Sequence, residues 1–300
     1  MVSFDGKTVV VTGGGRGIGR EACELFGELG ANVVVNDIGG DKGGEGGTER
    51  VADEVVTAIE EAGGTATADY SDVGTMEGAD DVVERALGEF GRLDAVYNNA
   101  GILRESSLVS MTETEWDEVV RVHLKGMFAV SQRAGQHWRE RHKAGVNRPR
   151  AIVNASSDVA AGVFSEQGSS YGLGNYAAAK AGILGLTRNA AEEFAEYGVR
   201  VNAIWPAAAT RLTETLPLDL PDPEPVAHAV AYLASESCTV SGQTVRVAGD
   251  RIDLVDPAPR PAYTAYAGGG RWTVDELDDR FDGSVGVHVE DPFTNGGGEG

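Results

Sequence analysis

A tyrosine and a lysine four residues apart are the side chains best placed to do chemistry. They are Tyr176 and Lys180, in the run Asn-Tyr-Ala-Ala-Ala-Lys. Residues i and i+4 share one face of a helix, so the ammonium can stand beside the phenol and favour its ionised form. A tyrosine that exchanges its proton is a general acid and base. The spacing alone is common on solvated helices, so the interpretation depends on the rest of the chain.

Short β-rich runs alternate with helical patterns along most of the chain. Several runs are uninterrupted valines, which is typical of strands buried on both faces of a parallel sheet. Strands are expected at residues 8–12, 32–37, 65–69, 93–98, 151–155, 200–204 and 243–248. Helices are expected at 17–29, 51–61, 76–90, 113–140, 176–197 and 225–234, the fourth opened by a Thr112–Glu115 capping box. This alternation predicts an α/β fold: a single doubly wound Rossmann-type domain with a seven-stranded parallel sheet.

The sheet pattern ends near residue 249. We therefore expect a Rossmann-type domain at 1–249 and an acidic C-terminal extension at 250–300, partly packed through its aromatic residues and flexible at its end. The glycine-rich residues 39–47 indicate a mobile loop, and the four prolines in 217–225 indicate a stiff turn or short lid.

Acidic residues outnumber basic ones by 47 to 25, giving a formal charge of −22. This balance argues against binding nucleic acid, which needs a basic footprint, and against docking on anionic membranes. A hydrophobic content of 41% supports a sizeable core. Two interpretations stay open, a halophilic cytoplasm or an ordinary acidic cytoplasmic protein. Activity measured against KCl concentration separates them, because a maximum near zero salt contradicts the first.

Cys23 and Cys238 are too few and too far apart for a disulfide framework or a metal site. Residues 1–6 lack a charged-then-apolar signal pattern, and no apolar run approaches the ~20 residues that span a bilayer. We expect a cytoplasmic protein with reduced cysteines and no bound metal.

A glycine-rich run follows the first strand and opens the first helix: Thr12-Gly13-Gly14-Gly15-Arg16-Gly17-Ile18-Gly19. Glycines allow a tight turn and a close backbone approach, and the helix N-terminus attracts a pyrophosphate. Asp37 ends the second strand, where a carboxylate accepts ribose hydroxyls and repels a 2′-phosphate. Asp37 and the uncharged Ile38 favour NAD over NADP, whereas Arg16 could hold the extra phosphate. Asp72 could meet the adenine amino group or simply cap a helix.

At this point the chain resembles the short-chain dehydrogenase/reductase family over about residues 4–249. The resemblance rests on four motifs in order: the Thr12–Gly19 loop, Asn98-Asn99-Ala100-Gly101, Ser156-Ser157 and Tyr176-x-x-x-Lys180. A narrower resemblance, through residues 35–41, 98–104 and 121–126, is to the dehydrogenase unit of peroxisomal multifunctional enzyme type 2. That resemblance implies oxidation of (3R)-hydroxyacyl-CoA with NAD, and the family commonly forms homodimers or homotetramers.

The resemblance also implies roles for single residues. Tyr176 would be the acid/base, Lys180 would hold the nicotinamide ribose and lower the tyrosine pKa, and Ser157 would orient the substrate oxygen. Thr210 would bind the carboxamide. The cofactor-binding residues implied by the motifs and elements are Thr12, Gly13, Gly15, Arg16, Gly17, Ile18, Gly19, Asp37, Asp72, Val73, Asn99, Ala100, Gly101, Tyr176, Lys180, Pro206 and Thr210.

Three departures from the family pattern affect the site. His123 stands where the family usually has a relay asparagine, and it could serve the relay or be a satisfied helix histidine. Ser157 precedes Tyr176 by nineteen residues, which indicates an insertion within 158–174 and leaves Ser156 as a substitute for Ser157. Ala207 replaces the glycine usual after Pro206, which should stiffen that loop.

These features predict an NAD-dependent dehydrogenase of a secondary alcohol, with a 3-hydroxyacyl thioester such as an acyl-CoA as its substrate. Alternatives are an NADPH-dependent 3-oxoacyl reductase and a sugar, steroid or alcohol dehydrogenase on the same scaffold. An alternative of another class is an NAD-binding redox sensor without turnover, which would have no need of the tyrosine base.

Overall fold

The computed structural model describes residues 2–48, 50–161, 170–214, 220–255 and 273–280. The chain divides into two compact units, Met1–Val255 and Asp256–Gly300. In the second unit the described residues form one short helix, α8 (Val274–Arg280), with Thr273 before it. The expected packing of the aromatic residues Tyr263, Tyr266, Trp272, Phe281 and Phe293 lies outside the described residues.

The first unit alternates strands and helices in the predicted order. Its strands are β1 (Thr8–Thr12), β2 (Asn32–Asn36), β3 (Thr65–Asp69), β4 (Ala95–Asn98), β5 (Arg150–Ala155), β6 (Val199–Ala207), β7 (Thr244–Ala248) and β8 (Arg251–Val255). Its helices are α1 (Gly17–Glu28), α2 (Arg50–Glu61), α3 (Met76–Phe90), α4 (Glu113–Val120), α5 (Gly126–Lys143), α6 (Gly174–Phe194) and α7 (Glu224–Ala234).

The described sheet has the strand order β3-β2-β1-β4-β5-β6-β7-β8. The first seven strands are parallel, which confirms the doubly wound α/β fold, and β8 pairs antiparallel with β7. The prediction of seven strands was therefore one strand short, and the sheet continues past residue 249. The residues of β8 alternate without a buried apolar face, as an edge strand does, so the valine-run signal of the other strands is missing.

The chain order reverses between β1 and β4, which pair side by side. In open α/β sheets the ligand crevice lies beyond the carboxyl ends of the strands at such a switch point. The strands around it are buried on both faces: Val9 and Val11 pack in one core cluster and Val10 packs in a second one. This burial confirms the parallel-sheet interpretation of the valine runs and fixes the ends of the strands that carry the site.

The long helix expected at 113–140 is interrupted by a π-helical turn at Arg121–Lys125, between α4 and α5. The predicted capping box is confirmed, because the Thr112 hydroxyl accepts from Glu115 N and the Glu115 carboxylate accepts from Thr112 N. π turns inside helices are rare and concentrate at functional sites. The turn carries His123, which is 1% exposed.

Parts of two predicted surface segments fall outside the described residues. Residues 162–169 of the expected insertion are not described, and neither are residues 215–219, which include the start of the proline turn expected at 217–225. Asp158–Ala161 forms a short 3₁₀ turn. Within the described ranges, no helix combines the length and apolarity needed to cross a membrane. Those ranges also hold no cluster of three or more metal-ligating side chains.

Candidate active site

A cavity of about 540 Å³ lies at the carboxyl ends of the parallel strands. It brings together residues from all four motifs, although they are far apart in the sequence. The predicted site residues that line it are Gly13, Arg16, Gly17, Ile18, Asp37, Asp72, Val73, Asn99, Ala100, Gly101, His123, Ser157, Tyr176, Lys180, Pro206 and Thr210. The other three predicted residues do not line the cavity and instead shape the glycine loop; they are Thr12, Gly15 and Gly19.

The glycine loop is built so that its backbone can face the cavity closely. Gly13 has φ +63°, and a Cβ there would stand 2.8 Å from Ala100 Cα. A Cβ on Gly19 would collide with Gly13 O, so both positions require glycine. Arg16 is the N-cap residue of α1 but makes no capping hydrogen bond with its side chain. The first N–H groups of α1 therefore remain available to an anion.

Thr12 and Asn99 tie the glycine loop to the segment after β4. The Thr12 hydroxyl oxygen accepts from Asn99 N at 3.0 Å and from Ala100 N at 3.1 Å. The Asn99 side-chain amide donates to Gly13 O at 3.0 Å. These bonds fix the spacing of the two backbone segments that flank the switch point, and they give Asn99 a structural task besides lining the cavity.

Asp37 is held rigidly at the end of β2. Its Oδ2 accepts from Gly15 N at 3.0 Å and its Oδ1 from Gly39 N at 2.7 Å. A Cβ on Gly15 would lie 2.9 Å from Asp37 Oδ2, so glycine is needed for this approach. Each carboxylate oxygen keeps lone-pair capacity for a further donor, which is the arrangement a ribose diol requires.

Asp72 is not the helix cap that one interpretation expected, because Thr75 caps α3 by accepting from Gly78 N. The Asp72 carboxylate instead accepts from Gly74 N at 2.9 Å and pairs with Arg121 at 2.7 Å. Asp72 and the neighbouring Val73 both line the cavity. An adenine contact at Asp72 stays a prediction.

Tyr176 and Lys180 lie on the first turns of α6, as the spacing predicted. The Lys180 ammonium is 5.3 Å from the Tyr176 ring centroid and donates to Ala155 O at 2.6 Å. Lys180 is only 2% exposed. Tyr176 is half-buried, and its hydroxyl is hydrogen-bonded to Ser157. The three side chains therefore meet at the cavity wall.

The pKa values of the pair move apart. Burial raises the pKa of Tyr176 to about 12, the Ser157 hydrogen bond opposes this, and the Asp158 carboxylate adds to it. Burial lowers the pKa of Lys180 to about 7. The expected lowering of the Tyr176 pKa by Lys180 is therefore not what the chain's own groups produce, because desolvation of the phenol dominates. At neutral pH Tyr176 holds its proton and stands as an acid.

The two adjacent serines have different tasks. The Ser156 hydroxyl is 2% exposed and donates to Lys180 O at 2.8 Å, so it is used within α6. The Ser157 hydroxyl faces Tyr176 and also donates to Asp158 Oδ1 at 3.2 Å. The geometry thus favours Ser157 over Ser156 as the group that meets a substrate oxygen.

His123 is packed between the backbone of Ile102 and the ring of Tyr176. Its Nε2 lies 3.0 Å from Ile102 N and 2.8 Å from Ile102 O, and its ring meets the Tyr176 ring edge-on at 5.1 Å. Burial, aided by the Lys180 charge, lowers the pKa of His123 to about 3, so the ring is neutral. Nδ1 has no partner. One ring nitrogen of His123 is thus held by the backbone of Ile102, and a relay role for His123 stays a prediction.

The segment after β6 forms another side of the cavity. Pro206 and Ala207 end β6, and Thr210 lies beside the glycine loop, with its Cγ2 3.4 Å from where a Cβ on Gly17 would stand. Thr210 N donates to Thr213 Oγ1 at 2.8 Å, which shapes this turn. A carboxamide contact at Thr210 stays a prediction.

The sequence did not indicate two further groups at the cavity. Arg211 reaches across to donate to Gly40 O at 2.9 Å, and Arg121 pairs with Asp72. Seven apolar residues, called the apolar wall below, also line the cavity: Ile102, Leu103, Val122, Val159, Leu173, Leu212 and Leu220. These residues lie in loops and in the π turn, where no periodic pattern marks them.

The residues present fit a nicotinamide dinucleotide. The required glycines at 13 and 19 open space beside the backbone, the uncapped start of α1 suits a pyrophosphate, and the fixed Asp37 carboxylate suits a ribose. Glycine residues 13 and 17, Asp37 and Lys180 would hold such a group.

Comparisons with known proteins agree with this geometry. The family model described as short chain dehydrogenase matches residues 7–219. The chain is 43% identical over 252 residues to the peroxisomal multifunctional enzyme type 2 of Drosophila melanogaster, covering 82% of this chain but 39% of that enzyme. It is 38% identical to hydroxyacyl-CoA dehydrogenase ChsB1 of Mycobacterium tuberculosis, covering 91% and 87%. A crystal structure of a short chain dehydrogenase from Mycobacterium avium matches with a TM-score of 0.82 at 42% identity, covering 94% and 96%.

Proposed function

Because the chain belongs to the short chain dehydrogenase family, we propose that it transfers hydride between NAD and the C3 alcohol of a 3-hydroxyacyl thioester. The family assignment carries the coarser statement, an oxidoreductase that uses a nicotinamide cofactor. The choice of NAD and of the acyl substrate is our proposal. The chain spans about two fifths of the length of the fly multifunctional relative. Our proposal therefore does not extend to the other activities of that relative.

The meeting of Ser157, Tyr176 and Lys180 at the wall of a glycine-loop cavity carries this proposal. A phenol, a hydroxyl and an ammonium in contact can bind a substrate oxygen and move its proton. A redox sensor without turnover would not need this trio. The name of the hydroxyacyl-CoA dehydrogenase among the relatives supports a thioester substrate over a sugar.

The chain's residues divide the reaction between them. Ser157 would donate to the substrate oxygen and orient it. Tyr176, which is protonated at neutral pH, would give its proton to that oxygen during reduction. During oxidation it would take the hydroxyl proton as the phenolate, which a positive charge on the neighbouring Lys180 favours. Lys180, when protonated, places a positive charge beside the phenol, and it would donate to the cofactor ribose. His123 holds the Tyr176 ring at its edge, and its free Nδ1 is available to a proton relay behind Lys180. When bound, the nicotinamide supplies the hydride acceptor.

The apolar wall supports an acyl substrate. Leu103, Leu173, Leu212 and Leu220 face the same cavity as Tyr176. A sugar would leave hydroxyls unpaired against such a wall, which costs binding free energy. An acyl chain would instead gain from burial.

Asp37 is expected to set the cofactor preference. The wild-type chain should favour NAD over NADP by at least about tenfold in kcat/KM, because a fixed carboxylate repels a 2′-phosphate. Asp37→Ser should shift the preference toward NADP, since Arg16 and Arg211 stay nearby. Steady-state kinetics with both cofactors measures this. Asp81→Asn, at an exposed carboxylate of α3, is the control, and a wild-type preference for NADPH would contradict the assignment.

An NADPH-dependent 3-oxoacyl reductase is the rival that one observation favours. Arg16 and Arg211 converge beside Asp37, and two guanidinium groups there could offset its charge toward a phosphate. Both of them, however, already donate to Gly40 O. The cofactor comparison above separates the two functions.

The substrate class is tested by screening NAD reduction with (3R)- and (3S)-hydroxyacyl-CoA esters, sugars and simple secondary alcohols, each at low and high KCl. We expect the (3R)-hydroxyacyl-CoA esters to give the highest kcat/KM. A sugar or short alcohol that exceeds them would overturn the substrate assignment while leaving the family assignment intact.

We also propose a homodimer or homotetramer, supported by the exposed aromatic Trp116 and Phe128 on α4 and α5.

A further inference from the structure

The glycine-rich residues 39–47, named the strap below, form a closed loop over the cavity rather than a free one. The two ends of the loop meet, since a Cβ on Gly39 would collide with Thr48 O and one on Gly47 would stand 2.6 Å from Ile38 O. Inside the loop, Asp41 N donates to Glu45 O and the Asp41 carboxylate accepts from Gly43 N and Glu45 N. Compact loops of this kind with adjoining ends are frequently functional.

Arginines from three different segments donate hydrogen bonds to backbone carbonyls of the strap. Arg16 of the glycine loop and Arg211 of the segment after β6 both donate to Gly40 O, at 3.0 and 2.9 Å. Arg104 donates to Gly43 O at 2.9 Å, and Leu103 N donates to Lys42 O at 2.9 Å. The strap thus joins the switch-point segment to the substrate side of the cleft.

The strap also faces the cavity itself. Gly40, Asp41 and Gly44 line it together with Asp37, and a Cβ on Gly44 would come within 2.9 Å of Ile102 Cγ2. Gly39 and Gly40 are buried. A loop that is closed at its neck and bonded on several sides covers the Asp37 end of the cleft, where the proposed function places the cofactor.

We propose that the strap is a latch that retains the nicotinamide cofactor, and that Arg104 and Arg211 are the positioning residues that hold it closed. This inference rests on the proposed function, because it needs a cofactor in the cleft. Arg104 does not line the cavity, so its effect must pass through the strap. Arg211 follows Thr210 and connects the segment after β6 to the strap. The strap and that segment should therefore open and close together.

Arg104→Met and Arg211→Met test the latch, because each keeps an apolar stem but loses its hydrogen bond to the strap. Stopped-flow fluorescence should show NADH leaving each variant about tenfold faster than the wild-type chain, in line with the loss of a charged hydrogen bond. Hydrogen exchange in the cofactor-free variants should be faster at residues 39–47 and unchanged in β1 and β4. Arg85→Met, at an exposed arginine of α3, is the matched control.

The outcomes are distinguishable. Release within twofold of wild type in both variants, or unchanged exchange at 39–47, would overturn the latch and leave the proposed function standing. Faster release in Arg211→Met alone would also overturn it, since that residue lines the cavity and could touch the cofactor directly. A wild-type chain that binds neither NADH nor NADPH would overturn the proposed function, and the latch with it.

Discussion

Tyr176→Phe should lower kcat for alcohol oxidation by about 10³-fold, within the 10²–10⁴-fold range typical of general acid–base catalysis. The change removes the hydroxyl that bonds Ser157 and would exchange a proton with the substrate oxygen. The ring itself remains, and so does its edge contact with His123 at 5.1 Å. Cofactor affinity, measured by NADH fluorescence titration, should therefore stay within about twofold of wild type.

The matched control is Tyr232→Phe, at a half-exposed tyrosine of α7 outside the cavity. It should leave both kcat and cofactor affinity unchanged. Turnover by Tyr176→Phe within tenfold of wild type would remove Tyr176 from its role as the acid/base and would direct attention to Ser157 or His123.

Lys180→Met should lose activity and gain stability at the same time. Burial lowers the pKa of Lys180 from 10.5 to about 7, which corresponds to a cost of roughly 4–5 kcal/mol for the charged form. The variant also loses the hydrogen bond to Ala155 O, which reduces its gain in the free energy of unfolding by about 1–2 kcal/mol. We expect unfolding of the variant at pH 6 to require about 2–3 kcal/mol more than wild type, with kcat about 10²-fold lower.

The pH dependence of this difference has a definite sign. Between pH 7 and 10.5 the unfolded lysine binds more protons than the buried one, so wild-type stability rises with pH across that window. The advantage of Lys180→Met should be full below pH 7 and should shrink as the pH rises toward 10.5. Urea unfolding of the cofactor-free proteins at pH 6 and pH 9.5 measures this difference.

Lys143→Met, at an exposed lysine near the end of α5, should change neither activity nor stability. A Lys180→Met protein less stable than wild type at pH 6 would show that Lys180 is a structural residue held by favourable contacts. A stability gain accompanied by full activity would show that the lysine is dispensable to the chemistry.

Much of the fold followed from the sequence because its buried strands carry a strong local signal. Consecutive valines such as Val9 and Val10 point to opposite faces of a strand, so both faces must be buried to remove them from water. The predicted bounds of all seven parallel strands lie within a few residues of the observed ones. The eighth strand was missed because its residues Ile252 and Leu254 are exposed, at 67% and 70%. Its position depends on pairing with β7, which is a tertiary effect.

The site was predictable where spacing within one element decides the geometry, as for Tyr176 and Lys180 on α6. It was not predictable where distant loops meet. The π turn at His123, the path of Arg211 to Gly40 O and the closed strap depend on contacts between segments that are far apart in sequence. The predicted lowering of the Tyr176 pKa was wrong, because the motif does not show how deeply the phenol is buried.

The central claim is hydride transfer from the C3 carbon of a hydroxyacyl thioester, with Tyr176 taking the proton. Its most direct test is a single turnover of the wild-type chain with (3R)-3-hydroxyacyl-CoA that carries deuterium at C3, in the presence of NAD. Mass spectrometry should find one deuterium in the NADH for each 3-oxoacyl-CoA formed, and Tyr176→Phe should form neither product on the same timescale. NADH without deuterium, or no reaction of the wild-type chain, would contradict the account.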